Sequence, residues 1–259
     1  MPRKLELPPR QDGSREVIDT SEGQVIIIGA NGAGKSRFAD YIRHEHADRA
    51  VVLSALDAVV VGGKPSPAFE SLMDRLMHDE LRSLLEYKMR SAQDPALRPA
   101  RTRLDRVIDM WQRLFPGNQI LVESGEMLFS RTIDDDDDIY SSAKLSAGER
   151  TVLYYLAAVM YAPRNALVFV DNSGIFLHPS VLTALWDMLE DRRRDCTFIY
   201  TTHDLEFASS RTHCAMVWVR DYDPAGVCWD YDILPPDSGL SDEIYLATLG
   251  ERRHVLFIE

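Results

Sequence analysis

Apolar residues follow two rhythms along this chain. In some stretches four or five stand together and stop at a glycine or an acid. In others they recur every three or four positions among polar residues. The first rhythm predicts strands buried on both faces, the second amphipathic helices. GQVIIIG (23–29), AVVLSA (50–55), ALVFVD (166–171) and TFIYTT (197–202) show the first. Helices are expected over Ser36–His44, from about 147 to 161 and from 180 to 192. AMVWV and VCWDYDIL predict a late pair of strands, followed by a short helix, Ser241–Leu249, which Gly250 stops. HVLFIE at the end predicts one more strand.

Between the second and third apolar runs, residues 66–115 predict a helical insertion. Leu104, Val107, Ile108, Trp111, Leu114 and Phe115 fall on one stripe of a helix. Leu72, Leu76, Leu84 and Leu85 predict a second amphipathic helix before it, with the break at Asp94–Pro95 and Arg98–Pro99. Met73, Met77, Met89 and Met110 are expected to fill the core. Residues 119–133 alternate as a strand pair around Ser124–Gly125. The run Asp134–Asp138 is expected to be a solvated acidic loop, because a calcium loop needs spaced ligands and a glycine turn.

Composition narrows the class. The chain has 259 residues, 45% of them hydrophobic, enough for one large domain or two small ones. No apolar run approaches the roughly 18 residues of a membrane span, and Met1–Glu16 has no apolar signal core, so no membrane association is expected. Cys196, Cys214 and Cys228 are odd in number and form no CxxC pair, which suits reduced thiols in a cytoplasmic protein. With His213 they make no convincing metal cluster. The net charge of −12 disfavours general binding of polyanions. Arg98, Arg101, Arg103 and Arg106, and the run Arg192–Arg194, are the candidate basic patches, and both are expected to be solvated helix faces.

The chemistry starts at GANGAGKS (29–36). It fits G-x-x-x-x-G-K-[ST] without a mismatch and lies after an apolar strand and before a helix. Glycines let a backbone wrap phosphates, and the amide groups and helix start supply positive potential. Gly29, Asn31, Gly32, Gly34, Lys35, Ser36 and Arg37 are therefore the candidate ATP-binding residues. Lys35 is expected at the β- and γ-phosphates and Ser36 at Mg²⁺. ALVFVD ends in Asp171, the second candidate magnesium ligand, at the strand end where open α/β sheets bind ligands. TFIYTT is followed by His203.

LSAGER (145–150) precedes a helix and lies before ALVFVD. With GANGAGKS, ALVFVD and TTHD in this order, it resembles the signature of ABC-type ATPases. The resemblance covers residues 23 to about 205. It implies an α/β P-loop NTPase fold of the ABC ATPase type, a mixed central sheet flanked by helices with the insertion at about 66–115, and one ATPase domain over 1–250. It further implies a head-to-tail homodimer or higher homo-oligomer, in which Ser146, Gly148 and Glu149 of one chain cap the γ-phosphate held by the other. His203 matches the family's switch histidine. LHP (177–179) resembles soluble ATPases of the overcoming-lysogenization-defect and RecF-like kind, a group of bacterial DNA maintenance and anti-phage defence. The insertion is too short for the long coiled coil of the chromosome-condensing members.

One departure stands out. The family places a glutamate directly after the magnesium-strand aspartate, as the base that positions water. Here the residue is Asn172, with Ser173 and Gly174 in place of the usual proline and acid. An amide accepts no proton at neutral pH, and loss of such a base slows chemistry by roughly 10²- to 10⁴-fold. An amide can still orient water. No glutamine is assigned to Mg²⁺, since Gln93 and Gln112 fall on helices, and no N-terminal aromatic offers an adenine stack, leaving Arg10 or Arg15 as candidates.

RRHVLFIE resembles the opening strand of a TOPRIM nuclease domain. The chain stops before the Asp-x-Asp such a site needs, so it is not itself expected to be a nuclease. Residues 251–259 read either as an ordinary edge strand or as the start of a further domain. The first functional reading is an ATP-binding switch, slow in hydrolysis, that controls a TOPRIM-type nuclease partner in anti-phage defence. The alternatives are a RecF-like repair ATPase that binds duplex nucleic acid and a non-hydrolysing nucleotide-bound scaffold, with a transporter ATPase a distant fourth.

Overall fold

The computed structural model describes residues 4–61, 64–94, 96–123, 125–131, 139–171, 174–211, 213–235 and 240–250. They form two compact units. The first comprises Met1–Leu53, Pro163–Gly174 and Arg194–Glu259, the second Ser54–Ala162 and Ile175–Arg193.

The chain enters the first unit through a small antiparallel hairpin, β1 (Lys4–Glu6) and β2 (Val17–Asp19). Each strand buries a single side chain, Leu5 or Ile18, so neither leaves a periodic trace in the sequence. Then come β3 (Gln24–Ile28), α1 (Lys35–Glu45) and β4 (Ala50–Ser54). After a long excursion through the second unit the chain returns with β10 (Leu167–Asp171), and later with β11 (Thr197–Thr202), α6 (Leu205–Ser210), β12 (Ala215–Asp223), β13 (Cys228–Leu234) and α7 (Asp242–Gly250).

Six of these strands make one mixed sheet in the order β13-β12-β3-β11-β10-β4. β10, β11, β3 and β12 run parallel, and β13 returns antiparallel. Alternate residues face opposite sides. Val25, Ile27, Leu167, Phe169, Ile199, Val217 and Val219 form one core with Phe38 and Ile42 of α1. Burying each of those two α1 side chains contributes about 1.5–3 kcal/mol. On the other face, Phe207 of α6 packs edge-on to Tyr200 at 5.3 Å.

The second unit holds the short hairpin β5 (Val60–Val61) and β6 (Lys64–Pro65), then α2 (Pro67–Ser91) and α3 (Arg103–Leu114). A three-stranded antiparallel sheet follows, β7 (Gln119–Glu123), β8 (Glu126–Ser130) and β9 (Ile139–Ser141). The helices α4 (Ala147–Tyr161) and α5 (Pro179–Arg192) complete it. α4 is buried over most of its length and is the centre of the unit. Tyr155 of α4 packs on Trp186 of α5 at 4.9 Å, and Trp111 of α3 on Phe129 of β8 at 5.7 Å.

The two expected helices of the insertion are present, with three differences in what they bury. In α3 Leu104, Val107 and Trp111 are buried together with Met110, as expected, while Ile108, Leu114 and Phe115 are only half-buried. In α2 the first half packs through Phe69, Met73 and Leu76, but Leu84 and Leu85 face outward. Of the methionines expected to be core filler, Met73 and Met110 are buried and Met89 is 73% exposed. The helix outruns the surface available to pack it. The strand pair over 119–133 is found as β7 and β8, whereas β9, the β5–β6 hairpin and α6 were not foreseen.

Arginines of both clusters are engaged within the chain. Arg101 pairs with Asp109, and Arg103 pairs with Asp79 at 3.0 Å. Arg193 donates to the carbonyls of Val159 (2.6 Å) and Ala162 (2.9 Å), closing the C-terminal end of α4. None of the three cysteines is in a disulfide, and all are buried. Asp134–Asp138 and the HVLFIE strand lie outside the described residues, as do Asn172 and Ser173.

Candidate functional site

The loop between β3 and α1 is held open for a ligand by glycines that no other residue replaces. Gly29 has φ +154°, and a Cβ there would lie 2.2 Å from the Val219 carbonyl oxygen. Gly34 has φ +90°, and its Cβ would lie 2.5 Å from Cβ of Tyr222. Both obstacles come from β12, which runs beside β3 and continues past its end. A shift of register between Val219 and Asp221 bends the strand there. Arg220, at the bend, pairs with Asp230 at 2.6 Å and Asp232 at 2.6 Å on β13. The Arg220 hydrogen bond to Asp230, and then the charges of Arg220 and Arg10, hold the Asp230 carboxyl below its ordinary pKa. Trp229 donates its ring N–H to the Gly34 carbonyl at 3.3 Å. Thus the strand pair β12–β13 forms a wall against the loop.

Inside the loop, Lys35 is 9% exposed and donates to the carbonyls of Gly29 (2.9 Å) and Ala30 (2.8 Å). Gly34 is the N-cap of α1; no side chain caps it, and no acid sits in the first turn. The first N–H groups of any helix lack partners within it, and they carry the positive end of the helix dipole. An anion therefore fits here. Asn31, Gly32, Ser36 and Arg37 line the exposed side, and the Arg37 guanidinium lies 5.1 Å from the Tyr222 ring centre.

Strand register brings the remaining candidates to the same end of the sheet. Asp171 pairs with Thr201, Thr201 with Ile27, and Thr202 with Ile28. His203 and Gly29 are the next residues along their strands. The Thr201 hydroxyl donates to Asp171 Oδ1. Asp171 is exposed while Thr201 is buried, so one carboxylate oxygen is fixed and the other faces outward. A magnesium ion usually keeps several waters and takes only one or two protein oxygens beside phosphate oxygens. Ser36 and Asp171 match that donor set, and no cluster of three or more histidine, cysteine or acidic ligands occurs among the described residues.

The signature lies in the second unit. Ser146 is the N-cap of α4 and forms a reciprocal capping box with Glu149. Ser146 Oγ accepts from the Glu149 N–H at 3.2 Å, and Glu149 Oε2 accepts from the Ser146 N–H at 2.8 Å. Asn118 donates to the other Glu149 oxygen at 2.8 Å. So Glu149 is held as a structural cap, while Ser146 and Gly148 remain at the helix start. A Cβ on Gly148 would lie 2.8 Å from the carbonyl oxygen of Phe176, whose own φ is +66°. Arg150 is buried, donates to the Leu145 carbonyl and reaches the Ala58 carbonyl at 3.4 Å, bracing the segment before the helix. Burial pushes its guanidinium below the usual pKa.

Several sequence candidates take other roles. His178 of LHP caps α5, its Nδ1 accepting from the Ser180 N–H at 3.4 Å. Arg10 donates to the Tyr231 carbonyl at 2.7 Å, and Arg15 to Tyr41 and Glu45, so neither is an open stacking surface. Gln112 lies within α3 and Gln93 just past α2, both in the second unit. The sequence reading missed Thr201 and Tyr222. The doubled threonine ending TFIYTT was visible, but its meaning depends on pairing with β10. Nothing local marks Tyr222.

The fold is the P-loop NTPase fold that SMC heads and ABC ATPases share, and families of that fold generally work with nucleotide and magnesium. The chain belongs to the family described as "AAA domain, putative AbiEii toxin, Type IV TA system", whose model matches residues 54–209, more than half of the chain. That match starts after the phosphate loop. Among solved structures, the chain is similar to an SMC head domain from Thermotoga maritima, with TM-score 0.54, 12% identity, and coverage of 90% of this chain and 99% of that one. An SmcHead bound to the C-winged helix domain of ScpA gives TM-score 0.55, 15% identity, and coverage of 89% and 97%. A structure described as an inward-facing "putative metal-chelate type ABC transporter" gives TM-score 0.52, 14% identity, and coverage of 96% and 90%. At these identities the likeness concerns the fold. No curated protein matches the chain. No helix among the described residues is long and apolar enough to cross a membrane.

Proposed function

We propose that the protein is an ATP-operated switch. Its ATP-bound form joins two copies head to tail and in that state controls a partner effector, a TOPRIM-type nuclease in anti-phage defence. The observation that carries this reading is the register that sets Asp171 and His203 at the strand ends beside the Gly29–Ser36 loop. Lys35 and the start of α1 would hold the β- and γ-phosphates, and Ser36 and Asp171 would hold magnesium. The ion, when bound, neutralises phosphate charge. Thr201 orients Asp171. Ser146 and Gly148 of the second copy would close on the phosphate with a helix start of the same kind as that of α1. His203 would contact the same end of the nucleotide.

Asn172 argues for a long-lived ATP state, because the side chain after Asp171 cannot take a proton from water. A non-hydrolysing scaffold differs from the switch only in lacking turnover. A duplex-binding repair role has less support, since Arg101, Arg103 and Arg193 are tied to groups of their own chain.

The test measures steady-state hydrolysis beside ATP-dependent association by sedimentation velocity, for this chain and for Asn172→Glu. The switch predicts that this chain associates with ATP and turns over slowly, and that Asn172→Glu hydrolyses at least about tenfold faster. Equal rates would place the base elsewhere. No association with ATP in either form would sink the dimer.

A further inference from the structure

The outward half of α2 has a second feature beside it. Between α2 and the β7–β8–β9 sheet, within the second unit, lies an open cleft of about 470 Å³. Met77, Leu81 and Leu84 form one wall, and Val122, Met127 and Leu128 the other. Leu81, Leu85 and Met89 continue the apolar stripe at four-residue spacing, 56%, 54% and 73% exposed. From Met77 to Met89 the stripe runs about 18 Å, the length of roughly three helical turns. Contiguous exposed apolar surface of this kind marks an interaction site, and methionine-lined walls adapt to a helix laid in a groove.

We propose that this cleft docks a basic amphipathic helix of a partner protein. Charge selects the occupant. Asp74, Glu80 and Glu126 border the cleft, and among the described residues no lysine or arginine lines it. Glu80 Oε2 is closed off from solvent and has no hydrogen-bond partner among the described residues. A lysine or arginine of the occupant would meet the carboxylates along the edge of the cleft. A second copy of this chain would set the same acids against each other, which opposes self-docking here. Nucleic acid and anionic lipid carry the wrong sign as well. None of the residues lining the cleft is a nucleotide-binding candidate, so the proposal stands without the ATP reading.

The test uses the full chain and three fluorescein-labelled model peptides read by anisotropy. One is a leucine/lysine helix with leucines on one face, one its leucine/glutamate counterpart, and one a leucine/lysine scramble without an apolar face. The amphipathic basic peptide is expected to bind at least about tenfold more tightly than the other two. Leu81→Asp should weaken it about tenfold and Glu80→Gln severalfold, with melting temperature and nucleotide binding unchanged. Equal binding of the scramble, or indifference to Leu81→Asp, would reduce the effect to general charge and overturn the proposal. A concentration-dependent dimer of the chain alone that Leu81→Asp abolishes would make a second copy the occupant and overturn it too.

Discussion

The hydroxyl of Thr201 donates to Oδ1 of Asp171, across the parallel pair where the two residues stand side by side. The bond leaves the other carboxylate oxygen to face outward and removes one rotational freedom from the carboxylate. Groups that orient a metal-binding side chain typically change affinity by 10- to 100-fold when lost. Thr201→Val is therefore expected to weaken nucleotide binding about tenfold in magnesium and to leave binding in EDTA unchanged, as fluorescent-nucleotide titrations would show. An equal loss in both conditions would mean that Thr201 serves the strand rather than Asp171.

Gly34 and Tyr222 make a second prediction, one with a built-in control. Gly34→Ala adds left-handed strain and an overlap with β12, together roughly 3 kcal/mol. The obstructing atom is Cβ of Tyr222, so Tyr222→Ala should give no relief. Tyr222→Gly should recover part of the loss in the double variant. Urea midpoints for the wild type, the three single variants and the two double variants test this, and additivity in the Tyr222→Gly pair would remove the contact as the cause.

Ser146 joins two roles that one substitution separates. Aspartate caps a helix about as well as serine does, whereas Ser146→Ala should cost about 1 kcal/mol. Ser146→Asp is accordingly expected to keep the thermal stability of the wild type. It would also place a negative charge where the other copy's γ-phosphate is proposed to sit, and ATP-dependent association should fall by at least about tenfold. Association that survives Ser146→Asp would refute a trans contact at this helix start.

Tyr154 bears on alkaline stability. Its burial, and then its hydrogen bond to Asp57 at 2.8 Å, push the phenol well above its ordinary range. The folded state thus keeps a proton that the unfolded chain releases above pH of about 10. The stabilisation is complete below that pH and falls as pH rises beyond it, by up to about 1.4 kcal/mol per pH unit for one such group. Tyr154→Phe should be less stable than wild type near pH 8, by about 1–2 kcal/mol, and the gap should narrow from pH 10 to 11. A gap constant over that range would show that Tyr154 ionises equally in both states.

The candidate site was legible where it rests on local geometry. GANGAGKS names its own turn and its own helix, and Asp171 ends an apolar run that has no other use for an acid. LSAGE was legible as a helix start, but its glutamate serves as the capping partner of Ser146 and Asn118. LHP turned out to carry a helix cap at His178. In these motifs short-range hydrogen bonding and ligand binding ask for the same residue types, so the sequence alone does not separate them.

Taken by itself, the sequence determined the buried strands, the glycine-rich loop with its helix and the two helices of the insertion, because each rests on neighbours within a few residues. Tertiary structure alone decided the rest. Strand order places β10 and β11 beside β3 although more than a hundred residues separate them in the chain, and that order gives Asp171 its threonine. The bend of β12 puts Val219 and Tyr222 against Gly29 and Gly34. The length of α2, set against the surface available to cover it, turns Leu81, Leu85 and Met89 to solvent although their spacing suits a core. Periodicity tells which residues share a face; what that face meets is settled by packing between distant parts of the chain.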